Sequence, residues 1–169
     1  MCIRDSSRMW LSSIWIFTLD LPWQLGAEFF MKYLKDGDTA SNTLSWRWTA
    51  GLQTKGKNYV AQEWNIKKFT NQRYEKVKLN ENATPIVSDK EYVQINPDFN
   101  NAEIKDDQIL LIFDNQLCFE ESDFENCKFK KIKLIKNTNS TRSIELDEHL
   151  IEFKSDLITD QQYRIQDKF

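Results

Sequence analysis

A chain of 169 residues is long enough for one ordinary domain or two small ones. Its 40% hydrophobic and 29% charged residues are a globular composition, which excludes a disordered or fibrous chain. The net charge of −3 hides a split: residues 1–74 carry 10 Lys+Arg against 6 Asp+Glu, residues 75–169 carry 13 against 20, so only the first segment suits a polyanion.

Residues 1–7 read as a leader, non-native or cut short, because an apolar helix starts abruptly at Arg8 with no cap or loop before it. That helix, Arg8–Thr18, carries Trp, Ile and Leu on nearly all sides and is expected to be buried. Its apolar run, Met9–Leu19, has 11 residues and stops at Asp20. A bilayer core of ~30 Å needs about 20 residues, so no membrane span is expected. The charged start and small-residue cleavage site of a signal peptide are also missing.

Asp20 is a candidate N-cap, with Pro22 in the first turn of a second helix running from Trp23 to Lys35. Gly26 and Ala27 interrupt its bulk and allow another backbone or a ligand to come close. Gly37 is the expected stop. Asp38 or Thr39 then caps a third helix, Ala40–Ala50, which Gly51 ends. After a Lys/Gly-rich loop, Gln53–Asn58, a weaker helical segment is expected over Val60–Tyr74.

Residues 75–107 change character: Pro85, Pro97, several Asn and many acids predict an acidic linker or an extended wrap. Gln108–Phe113 is a continuous apolar run, as in a buried strand. Phe129–Ile135 alternates with Lys, also as in a strand. From Ile144 to Ile165 apolar residues recur at helical spacing. The expected fold is mainly α in the N-terminal half, followed by a small α/β unit over 108–169 that is itself expected to be truncated.

The three Cys (Cys2, Cys118, Cys127) are odd in number and match no metal or redox spacing, so a reduced, cytoplasmic setting is expected. His149 is the only His, which argues against a His-based metal site or triad, and no metal is expected.

Five of the six Trp fall before residue 50. Trp46 and Trp48 are two apart, so on a helix they point roughly 200° apart and cannot fill one core together. One should face the interior and the other a cavity or surface, where a Trp can stack on a base or a flat cofactor. Both being plain core aromatics is the alternative. Asn42 shares a face with Trp46. Asp36 and Asp38 flank Gly37 between two helices; they either hold hydroxyls or a cation, or simply close one helix and cap the next. Arg8 can pair with either acid if its helix packs there. Lys55, Lys57, Lys67, Lys68 and Arg73 either meet phosphates or form a solvated basic face.

These residues carry a resemblance. Arg8-Met9, Trp23, then Asp36-Gly37-Asp38-x-Ala40-Ser41-Asn42 and Trp46-x-Trp48 stand at ungapped spacing. The pattern is similar to the FAD-binding domain of the DNA photolyase and cryptochrome family over Arg8–Ala50, and fades through Lys57–Tyr74. The resemblance implies a partial, helical FAD-binding domain over residues 8–74. Arg8, Asp36, Asp38 and Asn42 would contact FAD, with Asn42 at flavin N5 as in photolyases. Trp46 and Trp23 would pass electrons to photoexcited flavin. Met9 and Trp48 would line the pocket for a pyrimidine dimer, which must leave the duplex to reach the flavin. The implied activity is light-driven repair of cyclobutane pyrimidine dimers in DNA by a longer photolyase-like lyase of which this chain is a fragment. A cryptochrome-like photoreceptor and a non-catalytic helical scaffold are the alternatives. Asp5 stands where the family usually has Asn, and Val60–Tyr74 lacks the usual Asn-Pro step.

Overall fold

The computed structural model describes residues 3–35, 37–74, 76, 78–90, 93, 95–98, 103, 107–113, 116, 127–135 and 144–168. It divides into two compact units, Met1–Glu91 and Tyr92–Phe169. Unit one holds helices α1 (Ile3–Ser13), α2 (Trp23–Tyr33), α3 (Thr39–Ala50) and α4 (Glu63–Phe69). Unit two holds strands β1 (Ile109–Phe113) and β2 (Lys131–Ile135) and helix α5 (Glu148–Lys168). The helical first half and small α/β second half agree with the expectation from sequence.

Helix α1 does not run on to Thr18 as an α-helix. From Ile14 to Thr18 it widens into a π-turn, closed by the Leu19 N–H donating to the Ile14 carbonyl at 2.9 Å. Asp20 does not cap α2. It adopts a left-handed backbone, φ 53°, which Asp tolerates better than most residues. The chain reverses there, and Pro22 precedes α2 with no side-chain cap. The Trp15 indole N–H donates to the Pro22 carbonyl at 3.0 Å and ties the reversal to the π-turn.

Helix α2 buries Gly26, Ala27 and Met31, and α3 answers with Trp46, Thr49 and Ala50. Gly26 is what lets the two helices meet: a Cβ there would collide with the six-membered ring of Trp46. The approach anticipated at Gly26 is therefore filled by a side chain of α3. The helix ends at Tyr33, earlier than expected, because Leu34 turns extended (ψ 124°). Gly37 is not the left-handed stop; its N–H donates to the Leu34 carbonyl at 3.0 Å. Gly51 does end α3, at φ 84°. The Gly51 and Leu52 N–H groups donate to the Trp48 and Arg47 carbonyls, the paired closure that favours glycine after a helix.

Two apolar clusters hold unit one. Ile16, Ala27, Trp46 and Ala50 form the first, flanked by Trp15, Phe17, Trp23, Phe30 and Leu52. Trp10, Ala61 and Ile66 form the second, flanked by Ile14, Tyr59 and Leu79. Buried hydroxyls bind α1 to its neighbours: Ser12 Oγ lies 3.1 Å from Thr49 Oγ1, and Ser13 Oγ accepts from the Ala61 N–H at 2.8 Å.

The fourth helical segment contracts to seven residues: Gln62 is extended just before Glu63, and Asn71 and Gln72 take left-handed backbones just after the helix, φ 51° and 62°. The first part of the stretch expected as linker or wrap lies against the helices. The Asn80 side-chain amide donates to the Phe17 carbonyl, Glu81 accepts from the Glu63 N–H, and the Ile86 N–H donates to the Ala50 carbonyl.

In unit two β1 and β2 pair in parallel, Ile109 opposite Lys131 through Phe113 opposite Ile135. Ile112 is buried. Helix α5 buries Leu150 and Gln161, and the Gln161 side-chain amide donates to the Gln116 carbonyl at 2.6 Å. Cys127 is half-buried, and Cys2 and Cys118 lie outside the described residues. Among the described residues, no helix is long and apolar enough to cross a membrane.

Candidate functional site

A cleft of about 620 Å³ opens in unit one between α1 and α3, with the end of α2 on its rim. From α1 come Asp5, Arg8, Met9 and Ser12, positions three and four apart that share one helical face. From α3 come Ser41, Asn42, Ser45, Trp46 and Thr49, at the same spacing, with Trp48 beside them. Phe30 and Leu34 supply an apolar corner. One cleft thus collects Arg8, Met9, Asp38, Asn42, Trp46 and Trp48, six of the eight residues to which the family resemblance gave a role; none of Lys55, Lys57, Lys67, Lys68 and Arg73 lines it.

The other two fall differently. Trp23 does not line the cleft; it packs against the Trp46 cluster behind it. Asp36 lies outside the described residues.

Asp38 sits at the N-terminus of α3 and accepts from the Ser41 N–H at 2.8 Å. The Ser41 backbone and hydroxyl bonds hold its carboxyl below the usual carboxylate range, so it is ionised at neutral pH. Asp38 therefore caps α3 and, from the same position, lines the cleft. Asn42 is half-buried, and its Nδ2 donates to the Ala27 carbonyl at 2.8 Å. A carbonyl can only accept, so the bond assigns the amide's orientation and leaves Oδ1 as the free acceptor at the cleft.

Trp46 and Trp48 diverge as the helical spacing requires. Trp46 is 1% exposed, held edge-on by Phe30 (5.1 Å, 77°) and Trp15 (6.2 Å, 83°). Trp48 is 42% exposed at the cleft mouth and stacks on Tyr59, with ring centroids 5.9 Å apart and planes 23° apart. The buried Trp46 Nε1–H has no hydrogen-bond partner among the described residues. An orphaned buried donor is costly, and one bordering a cleft fits a site whose polar ligand supplies the acceptor.

Sequence reasoning missed several residues of this site. Phe30 and Leu34 are ordinary helix apolars until α2 is docked. Tyr59 lies 11 residues after Trp48 in the segment ahead of α4, and no spacing signal connects the two.

The arrangement is a mostly apolar helical cleft with a cation, an anion, an amide and indole rings around it, a setting suited to a flat aromatic cofactor that also carries charge. The family comparison agrees: residues 2–96 match the FAD binding domain of DNA photolyase, and the chain belongs to that family. The chain is similar to the deoxyribodipyrimidine photo-lyase of Streptomyces griseus, 40% identical over 52 residues, 31% of this chain and 11% of that protein. It is 36% identical over 67 residues to the same enzyme of Synechococcus sp., 37% of this chain and 14% of the relative. With that of Salmonella typhimurium it shares 38% over 57 residues, 34% of this chain and 12% of the relative. The matched stretches thus span about an eighth of these curated relatives. No solved structure matches the chain.

Proposed function

We propose that this segment forms one wall of an FAD site in a photolyase-type protein that repairs cyclobutane pyrimidine dimers in DNA. The observation that carries the reading is the single cleft in which Arg8, Asp38 and Asn42 meet a buried Trp46 and an open Trp48. The donor set fits the cofactor. Arg8 and Asp38 offer opposite charges for its polar groups, Asn42 offers an oriented amide, and the Trp46 N–H lacks only an acceptor. FAD, when bound, supplies the light absorption and the one-electron chemistry.

The chain's own part is placement. Asn42 is locked by Ala27, so its acceptor stands ready without reorganisation. Trp46 and Trp23 belong to one apolar cluster and provide two oxidisable rings leading away from the cleft. Met9 and Trp48 border the same cleft and give it an apolar, stackable side suited to an extruded pyrimidine dimer. The exposed Trp48 favours repair over a purely photosensory role, because an open indole at the mouth serves a flat ligand arriving from outside. Residues 75–107 are proposed as a linker whose beginning wraps the helices, and residues 108–169 as a separate small unit.

The test is made on the full-length protein that contains this segment. Reduced and illuminated, it should restore an oligonucleotide carrying a thymine dimer to intact thymines. A flavin-loaded, reduced protein that leaves the dimer untouched would sink the repair reading.

A further inference from the structure

Trp48 is not a loose surface side chain. One face of its indole is covered by Tyr59 at 5.9 Å between centroids, nearly parallel. The ring borders the cleft and remains 42% exposed. Tyr59 in turn is anchored. Its backbone N–H donates to the Thr49 carbonyl at 3.2 Å, next to Trp48 in α3. Its side chain packs against the second apolar cluster, and burial pushes its phenol up, with the Trp10 indole beside it pulling the other way. Trp10 is itself held by Asn65 of α4, its Nε1–H donating to Oδ1 at 3.0 Å. A line of contacts therefore runs from α4 through Trp10 and Tyr59 to the cleft wall.

We propose that Tyr59 is a positioning residue that fixes Trp48 as a one-faced stacking wall, leaving its free face for a single nucleobase-sized ring of the substrate. The proposal rests on the reading of the cleft as a dimer-repair site, and adds to it the residue that orders the wall. The physical reason is entropic. An exposed Trp that had to be immobilised on binding would lose rotamer freedom at that moment, whereas one already stacked has lost it in the folded protein. Tyr59 reaches no reacting atom; it acts only through Trp48.

Two measurements separate this proposal from the repair reading. In the chain labelled with 5-fluorotryptophan, the Trp48 fluorine resonance is identified by its loss in Trp48→Phe. It should shift and broaden in Tyr59→Leu and return to its wild-type position in Tyr59→Phe, which keeps the ring. An unmoved Trp48 resonance in Tyr59→Leu overturns the proposal. Should Tyr59→Leu fail to fold, nuclear Overhauser contacts between the Trp48 and Tyr59 rings of the unmutated chain decide the matter, and their absence overturns it. The second measurement uses the full-length protein in the dark with a duplex carrying one thymine dimer. Tyr59→Leu should weaken binding roughly two- to tenfold, the range of an aromatic pair. In a Trp48→Ala background the same change should have no further effect. Equal losses in both backgrounds overturn the proposal. A wild-type protein that does not prefer the dimer duplex defeats the repair reading, while the fluorine measurement still decides whether Tyr59 orders Trp48.

Discussion

Gly26 of α2 lies directly on the ring of Trp46 of α3, so closely that the glycine's missing Cβ is a condition of the helix pair. This contact sets where Trp46 stands, and Trp46 in turn borders the cleft. Gly26→Ala should therefore destabilise unit one by about 1–3 kcal/mol through overpacking. Helix propensity alone argues the opposite, since Ala is favoured over Gly by up to ~1 kcal/mol in a helix interior. Denaturant unfolding distinguishes the two: a variant as stable as the parent would mean that α2 and α3 do not meet at this point.

Asn42 is expected to matter for the fold before it matters for any ligand. Its amide is the donor to the Ala27 carbonyl. Asn42→Asp replaces that donor by a carboxylate at neutral pH, and the carbonyl loses its partner. The expected loss is about 1–3 kcal/mol at pH 7. Lowering the pH until the new carboxyl is protonated should recover part of it, because a protonated acid can donate again. Urea titrations at pH 7 and pH 4 check both halves.

The cap of α3 carries a defined pH dependence. Asp38 has a folded pKa below the ordinary value of 3.8 because Ser41 donates to its carboxylate. A depressed acid contributes stability that is fully present above its unfolded pKa and is lost as pH falls through the folded one. Acid titration of stability should therefore show a component below about pH 3.8 that Asp38→Asn removes, since an amide keeps the capping acceptor but does not titrate. An identical acid limb in parent and variant would take Asp38 out of the account.

Trp46→Phe in the full-length protein should slow flavin photoreduction, measured per bound flavin. Phe preserves most of the buried volume; Trp46→Ala would cost about 3–5 kcal/mol and confuse the result. Transient absorption of the bound flavin is the measurement, and an unchanged rate would remove Trp46 from the electron path.

Much of this site was legible along the chain because it is built from one-turn physics. Asp38 ahead of α3, Gly51 behind it, and the divergence of Trp46 and Trp48 all follow from capping, left-handed glycine and the 100° step of a helix. The shared face of Asn42 and Trp46 follows in the same way. The end of α2 was not legible: Gly37 carried the ordinary signal for a stop, but the chain leaves the helix at Leu34 instead. Nor was the reversal at Asp20, where a residue typed as a cap instead takes a left-handed backbone beneath the Trp15–Pro22 bond.

The order of helices and the place of the two strands were legible in the sequence alone, because periodicity and caps depend on neighbours within a turn or two; that Arg8, Met9, Asp38, Asn42, Trp46 and Trp48 share one site was implied by the resemblance to the family. Tertiary structure decided which partner each aromatic met. Gly26 received Trp46, Tyr59 received Trp48, and Asn80, Glu81 and Ile86 returned to bind the helices. Those pairings join residues far apart in the chain, and only packing, which fills space without regard to sequence distance, could select them.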